Sequence, residues 1–196
     1  MRRTIIILLL IIPGLPAVSQ NPDIKILRAI NSPGDLASDS FFRFISDSEP
    51  YAIFMVPAVM ATAGLLKHDE EHLRNAGADL AAIAISGGVT VILKYAINRD
   101  RPFVTYPDIV KKSAAGSPSF PSGHTSSAFA TATSVSLAYP KWYVIVPSFT
   151  WAGAVGYSRM HLGVHYPSDV LAGAIIGSGC AYLTWRINRR LQSKKP

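Results

Sequence analysis

The stretch Thr125–Ser158, TSSAFATATSVSLAYPKWYVIVPSFTWAGAVGYS, carries one charge, Lys141. An uncharged run of 16 residues precedes that lysine and one of 17 follows it. A bilayer crossing takes about 20 mainly apolar residues, with a lower bound near about 17. Both runs are rich in Ala, Gly, Ser and Thr, the small residues that let helices approach closely in lipid. The pattern recurs outward. Tyr51–Leu66 and Val170–Trp185 are uncharged, and Ala76–Leu93 carries only Asp79. Thr4–Ser19 is also uncharged, with an apolar core Ile5–Ile12 that ends at Pro13-Gly14. A soluble chain of 196 residues has too small a core to bury so many such stretches. The expected fold is therefore all-α, a polytopic membrane helical bundle of five or six transmembrane helices.

Residues 1–19 read as a signal peptide or, failing cleavage, as the first membrane helix. Arg2-Arg3, a short apolar core and Ala17-Val18-Ser19 before Gln20 fit a secretory leader. Residues 20–196 then form a single domain. Charged residues make up only 16% of the chain, against about 25% in soluble proteins. The net charge of +7 sits at the two ends: Arg2, Arg3, Arg186, Arg189, Arg190, Lys194 and Lys195. The other 12 basic residues are matched by 12 acidic ones. This is a topology signal rather than a nucleic-acid footprint. Basic residues stay on the cytoplasmic side, which puts Lys67–Asn75, Lys141 and both termini inside. Gln20–Pro50, Asn98–His124 and Arg159–Ser168 then face outward. Two short amphipathic pieces (Ile24, Ile26, Leu27, Ile30; Phe41, Phe42, Phe44, Ile45) are expected to lie on the outer interface. The lone Cys180 excludes an intrachain disulfide and a cysteine-based zinc site.

Three polar clusters fall on the outer side. They are Lys94 through Arg101-Pro102, then Pro121-Ser122-Gly123-His124, then Ser158-Arg159 with His165 and Asp169. Together they supply three cations, two histidines and one carboxylate. Three fixed cations suit the equatorial oxygens of a transferring phosphoryl group, and two histidines can divide the work of nucleophile and general acid. Asp169 can accept from one nitrogen of His165 and leave the other free to attack. Ser122 and Gly123 precede a helix whose open N–H groups suit phosphate. No carboxylate cluster is available for Mg²⁺, so a metal-free mechanism without cofactor is expected.

These clusters, with six residues between Lys94 and Arg101, five between Arg159 and His165 and three between His165 and Asp169, resemble the three-part signature of the type 2 phosphatidic acid phosphatase (PAP2) superfamily. The match runs in order over 76 residues, Lys94 to Asp169. The resemblance implies that His165 attacks phosphorus to form a phosphohistidine while Asp169 orients it. It implies that His124 protonates the leaving oxygen and then activates water. Lys94, Arg101, Arg159, Ser122 and the Gly123 N–H would bind the phosphoryl oxygens. The implied function is a lipid-phosphate phosphatase of a bacterial inner membrane with its site facing the periplasm. Its partners are the bilayer and a lipid phosphate: undecaprenyl diphosphate or lipid A phosphate first, phosphatidylglycerol phosphate or phosphatidic acid next. A haloperoxidase holding vanadate in the same pocket is the alternative from another reaction class, and a non-enzymatic lipid-binding protein is the third. Membrane embedding and small size weigh against the former, and the two histidines against the latter.

Other polar residues are expected to be structural. His161 and His165 are four apart, as in a zinc helix, but lack the accompanying glutamate, so His161 reads as a satisfied loop histidine. His68 and His72 read as a solvated face. Lys111 and Lys112 read as a solvated pair ahead of a contact to a second phosphate or a sugar headgroup, and Arg99 and Asp100 as facing solvent or each other. Asp79, inside a span, calls for a partner across the bundle.

Overall fold

A computed structural model describes residues 21–31 and 36–192; the expected signal peptide or first helix at 1–19 lies outside them. Seven helices follow in order: α1 (Pro22–Ile30), α2 (Leu36–Lys67), α3 (Glu70–Ile97), α4 (Pro102–Thr105), α5 (Gly123–Ala138), α6 (Trp142–His161) and α7 (Pro167–Gln192). No strand occurs among the described residues, so the all-α expectation holds. Three helical stretches, Leu36–Lys67, Glu70–Thr105 and Pro167–Gln192, are long and apolar enough to cross a membrane. Their outward faces carry Phe54, Val59, Leu66, Ile92, Leu171, Ile175 and Leu183, all exposed, as lipid-facing surface requires.

The short α5 is the hub, packed against α2, α3, α6 and α7. Its central place follows from its composition. Ala128 and Ala132 meet Ala152 and Val155 of α6, with Ile45 of α2 at the edge. Ser126 is buried against α3, where its hydroxyl meets Ser86 at 2.5 Å and Thr90 at 3.1 Å. Such interhelical hydroxyl bonds hold helices together in lipid. On the α7 side the contact is backbone to backbone. A Cβ added to Gly177 would stand 2.0 Å from the Ser126 carbonyl oxygen, and one on Gly173 would stand 2.6 Å from that of Ser122. Gly177→Ala should therefore push α7 off α5 and cost about 1–3 kcal/mol, as overpacking does. Thermal unfolding in detergent reads this directly, and an unchanged midpoint would contradict the packing described.

Two readings need correction. Phe41, Phe42, Phe44 and Ile45 do not form a separate interfacial piece, because α2 runs unbroken from Leu36 through Pro50 and Pro57. Neighbouring helices stabilise prolines inside membrane helices. Ile24 and Leu27 of α1 are not turned to lipid either; they pack against Ile109 and Tyr166. Asp79 is fully buried, with Ser134 of α5 beside it but neither carboxylate oxygen within hydrogen-bond reach of a partner among the described residues.

Candidate active site

Four chain ends converge at one end of the bundle: the C-termini of α3 and α6 and the N-termini of α5 and α7. Each terminus is shaped by local chemistry. α3 stops at Asn98, whose φ of 48° is left-handed and whose N–H returns to the Lys94 carbonyl. Asn is among the few residues that take this conformation readily. Arg101, extended as residues before proline are, then starts α4. α7 begins with Pro167, and Asp169 in its first turn accepts the Tyr166 N–H at 2.9 Å. This is the back-reaching half of a capping box. α5 begins after Ser122, whose hydroxyl meets Thr125 Oγ1 at 2.8 Å and caps no backbone N–H. The Gly123 end of α5 thus keeps N–H groups open toward the site, where an anion is favoured.

The structure brings all the predicted residues to this end. Lys94, 8% exposed, donates to the Pro118 carbonyl at 2.6 Å. Arg101 donates from Nε to the Ser117 carbonyl and from Nη1 to the Val164 carbonyl, both at 2.8 Å. Arg159 is buried and donates from Nη1 to Ser46 Oγ, while its Nε has no partner among the described residues. These cations are thus pre-oriented by neutral oxygens.

His165 lies in the turn between α6 and α7 and is buried. Its Nε2 lies 3.4 Å from Arg101 Nη1. A guanidinium only donates, so Nε2 carries a lone pair and the ring proton belongs on Nδ1. Nδ1 faces Asp169 Oδ2 at 3.4 Å, close but too long for a good hydrogen bond. Burial, reinforced by Arg101 and Arg159 and opposed by Asp169, holds the ring's pKa down at about 4. The imidazole is therefore neutral at neutral pH. Asp169 itself is saturated: Oδ2 also takes the Ser119 hydroxyl, and Oδ1 takes Arg99 Nη1 at 2.7 Å. His124 stands across the site, its side chain 39% exposed.

Four residues that sequence reading missed complete the arrangement. Arg99 does not face solvent or Asp100; it bridges Asp169, Asp23 and Ser168 at 2.7–2.8 Å and stacks over Tyr166 at 3.8 Å. Asp23 of α1 reaches the α7 N-terminus, where it accepts the Ser168 N–H at 2.8 Å. Ser46 and Glu49 enter from α2, three residues apart and so on one helix face, and bond Arg159 and Ser127. The spacing of residues on α2 was the one available signal, since both polar side chains adjoin the apolar stretch from Tyr51. Lys112 is not solvated but buried on Asp39 at 2.6 Å, whereas Lys111 lies over the Phe103 ring. His161 is satisfied, as expected, by Asp39 at 2.8 Å. Among the described residues no three His, Cys, Asp or Glu side chains converge in a way that would hold a metal ion.

The sequence pattern of the PAP2 superfamily matches residues 77–193. The chain belongs to the PAP2 superfamily. It is 33% identical over 103 residues to a lipid A 4'-phosphatase of Bacteroides thetaiotaomicron, covering 50% of this chain and 46% of that protein. It is 33% identical over 118 residues to an undecaprenyl-diphosphatase of Sulfolobus acidocaldarius, covering 58% of this chain and 57% of that one. The chain thus spans about half the length of these curated relatives. Aquifex aeolicus LpxE, a solved structure, superposes with a TM-score of 0.73 at 27% identity, covering 85% of this chain and 96% of that one. The PAP2 match and these apolar helices make this a multi-pass membrane protein.

Proposed function

We propose that this PAP2 protein hydrolyses a lipid phosphomonoester or diphosphate through a phosphohistidine at the outer face of a bacterial inner membrane. One observation carries the reading: His165 Nε2, held neutral by burial, sits 3.4 Å from Arg101 at the end of the bundle where Lys94, Arg159 and His124 also gather. In the first step Nε2 attacks phosphorus, the phosphorus–oxygen bond to the lipid breaks, and the leaving oxygen takes a proton from His124. Asp169 balances the positive charge that forms on His165. In the second step water gives its proton to His124 and attacks phosphorus, and the phosphorus–nitrogen bond breaks. Lys94, Arg101, Arg159 and the open N–H groups at Gly123, beside Ser122, hold the equatorial oxygens throughout.

The outward orientation rests on charge. α7 starts at the site with Asp169 and ends in Arg186, Arg189 and Arg190. Its 26 residues span about 39 Å at 1.5 Å per residue, enough to cross the hydrocarbon core. Lys67 and Lys141 stand with that basic end. The site therefore lies opposite the side that retains basic residues. Relatives named for lipid A and undecaprenyl diphosphate support those two substrates ahead of phosphatidylglycerol phosphate and phosphatidic acid.

The test is phosphate release by the purified protein from these four lipids. One of the first two should be turned over fastest. Activity should persist in EDTA and be blocked by vanadate, which mimics five-coordinate phosphorus. Activity lost to EDTA and restored by a divalent metal would overturn the mechanism.

A further inference from the structure

The three PAP2 motifs assign no residue of α2, yet α2 places a buried carboxylate against His124. Glu49 is 5% exposed. Its Oε2 lies 3.8 Å from His124 Nε2, and its Oε1 takes the Ser127 hydroxyl. Ser127 stands one turn along α5 from Gly123 and near His124, its Oγ within 2.9 Å and 3.3 Å of their carbonyl oxygens. The position of α2 at this level is fixed twice more. Ser46 binds Arg159, and Ser48 Oγ accepts the Trp151 indole N–H at 3.1 Å. The carboxylate is therefore held, and it is held toward one histidine.

We propose that Glu49 is a positioning residue for the general acid: it keeps a proton on His124 until the leaving oxygen arrives. The proposal rests on the phosphatase reading and on the acid role of His124. The need for such a group follows from the charges around His124. Arg159 from α6, Arg101 and Lys94 from the end of α3, and His165 all act on it electrostatically. Three permanent cations oppose a fourth positive charge on the His124 ring. The same cations cannot be dispensed with, because they hold the substrate oxygens. A carboxylate 3.8 Å from the ring offsets this repulsion. At 3.8 Å it is too far for a direct hydrogen bond, so it stabilises the charged ring without binding its proton tightly. Asp169 does for His165 what Glu49 does for His124.

Leaving-group dependence tests the proposal. An alkoxide needs protonation to depart, whereas 4-nitrophenolate leaves unaided. In this protein, Glu49→Gln should slow first-turnover release of the lipid product from phosphatidic acid by about 100-fold, the lower range of general-acid catalysis. First-turnover release of 4-nitrophenolate from 4-nitrophenyl phosphate should slow by less than about 5-fold, because it precedes the water step in which His124 also acts. Glu49→Asp should recover part of the loss, and the alkaline limb of the Glu49→Gln rate profile should move to lower pH. Partial misfolding lowers both rates alike and leaves their ratio unchanged, so an unchanged ratio overturns the proposal. Should Glu49→Gln not fold, Ser127→Ala, which releases the carboxylate, is read by the same ratio. His124→Ala separates the two levels of inference. If it shows the leaving-group split and the Glu49 variants do not, Glu49 has no such role; if His124→Ala lacks the split, the acid role beneath the proposal fails.

Discussion

His165→Ala is expected to lower phosphate release by about 10⁴-fold or more, on the scale seen when a catalytic nucleophile is removed. The reasoning is geometric. Nε2 is the unprotonated nitrogen, and it faces Arg101 at 3.4 Å. The variant should still bind vanadate or phosphate, because Lys94, Arg101 and Arg159 take their orientation from Pro118, Ser117, Val164 and Ser46 rather than from the imidazole. Turnover near the wild-type rate would remove His165 from the mechanism. The wild-type ring also sets a pH dependence. With its pKa lowered to about 4, the folded ring stays neutral as pH falls from 7 to 5, so the attacking form is not lost near the ordinary histidine value of 6.5. The unfolded chain does take up a proton there. Its His165 therefore favours unfolding progressively as pH falls from about 6.5 to about 4, and stability is regained above that window. A nitrogen-15 titration of the histidine rings reads the first expectation, and a ring titrating near 6.5 would contradict it.

Asp169→Asn should come second, with kcat down by about 10³- to 10⁴-fold and affinity for phosphate little changed, by analogy with other histidine-orienting carboxylates. The amide preserves size but not function. Asp169 accepts from Ser119, from the Tyr166 N–H and from Arg99, and it faces His165 Nδ1. An asparagine there has one acceptor oxygen and a donor group in place of the other. The positive charge that forms on His165 during attack then has no counter-charge. Arg99 keeps Asp23 at 2.8 Å, so its own charge is not orphaned. Equal loss of kcat and of phosphate affinity would point instead to a collapsed turn between α6 and α7.

The motifs were legible because each lies at a helix end, where a charge next to a long uncharged run has few explanations. Lys94 closes α3, His124 opens α5, and Asp169 opens α7. The supporting residues were not legible, for reasons of distance along the chain. Arg99 falls at a position that the PAP2 spacing leaves open, and its partners are 70 and 76 residues away. Glu49 and Ser46 precede the motifs, and an acid ahead of an apolar run reads as an interfacial charge until α2 is seen to continue past Pro50. The amphipathic pieces were placed on the membrane surface for a similar reason: Ile24 and Leu27 form an apolar stripe whether they meet lipid or Tyr166.

The nine residues of α1 therefore act as a clasp. Asp23 fastens Arg99 and the first turn of α7, while Asn31 at the other end of α1 fastens the carbonyls of Val110 and His161. Every one of those partners borders the turn that carries His165. A chain shortened past Asn31 would keep the long apolar helices and all three motifs. It would lose the fastening of the turn that carries His165. This clasp lies upstream of residue 77, where the PAP2 pattern begins.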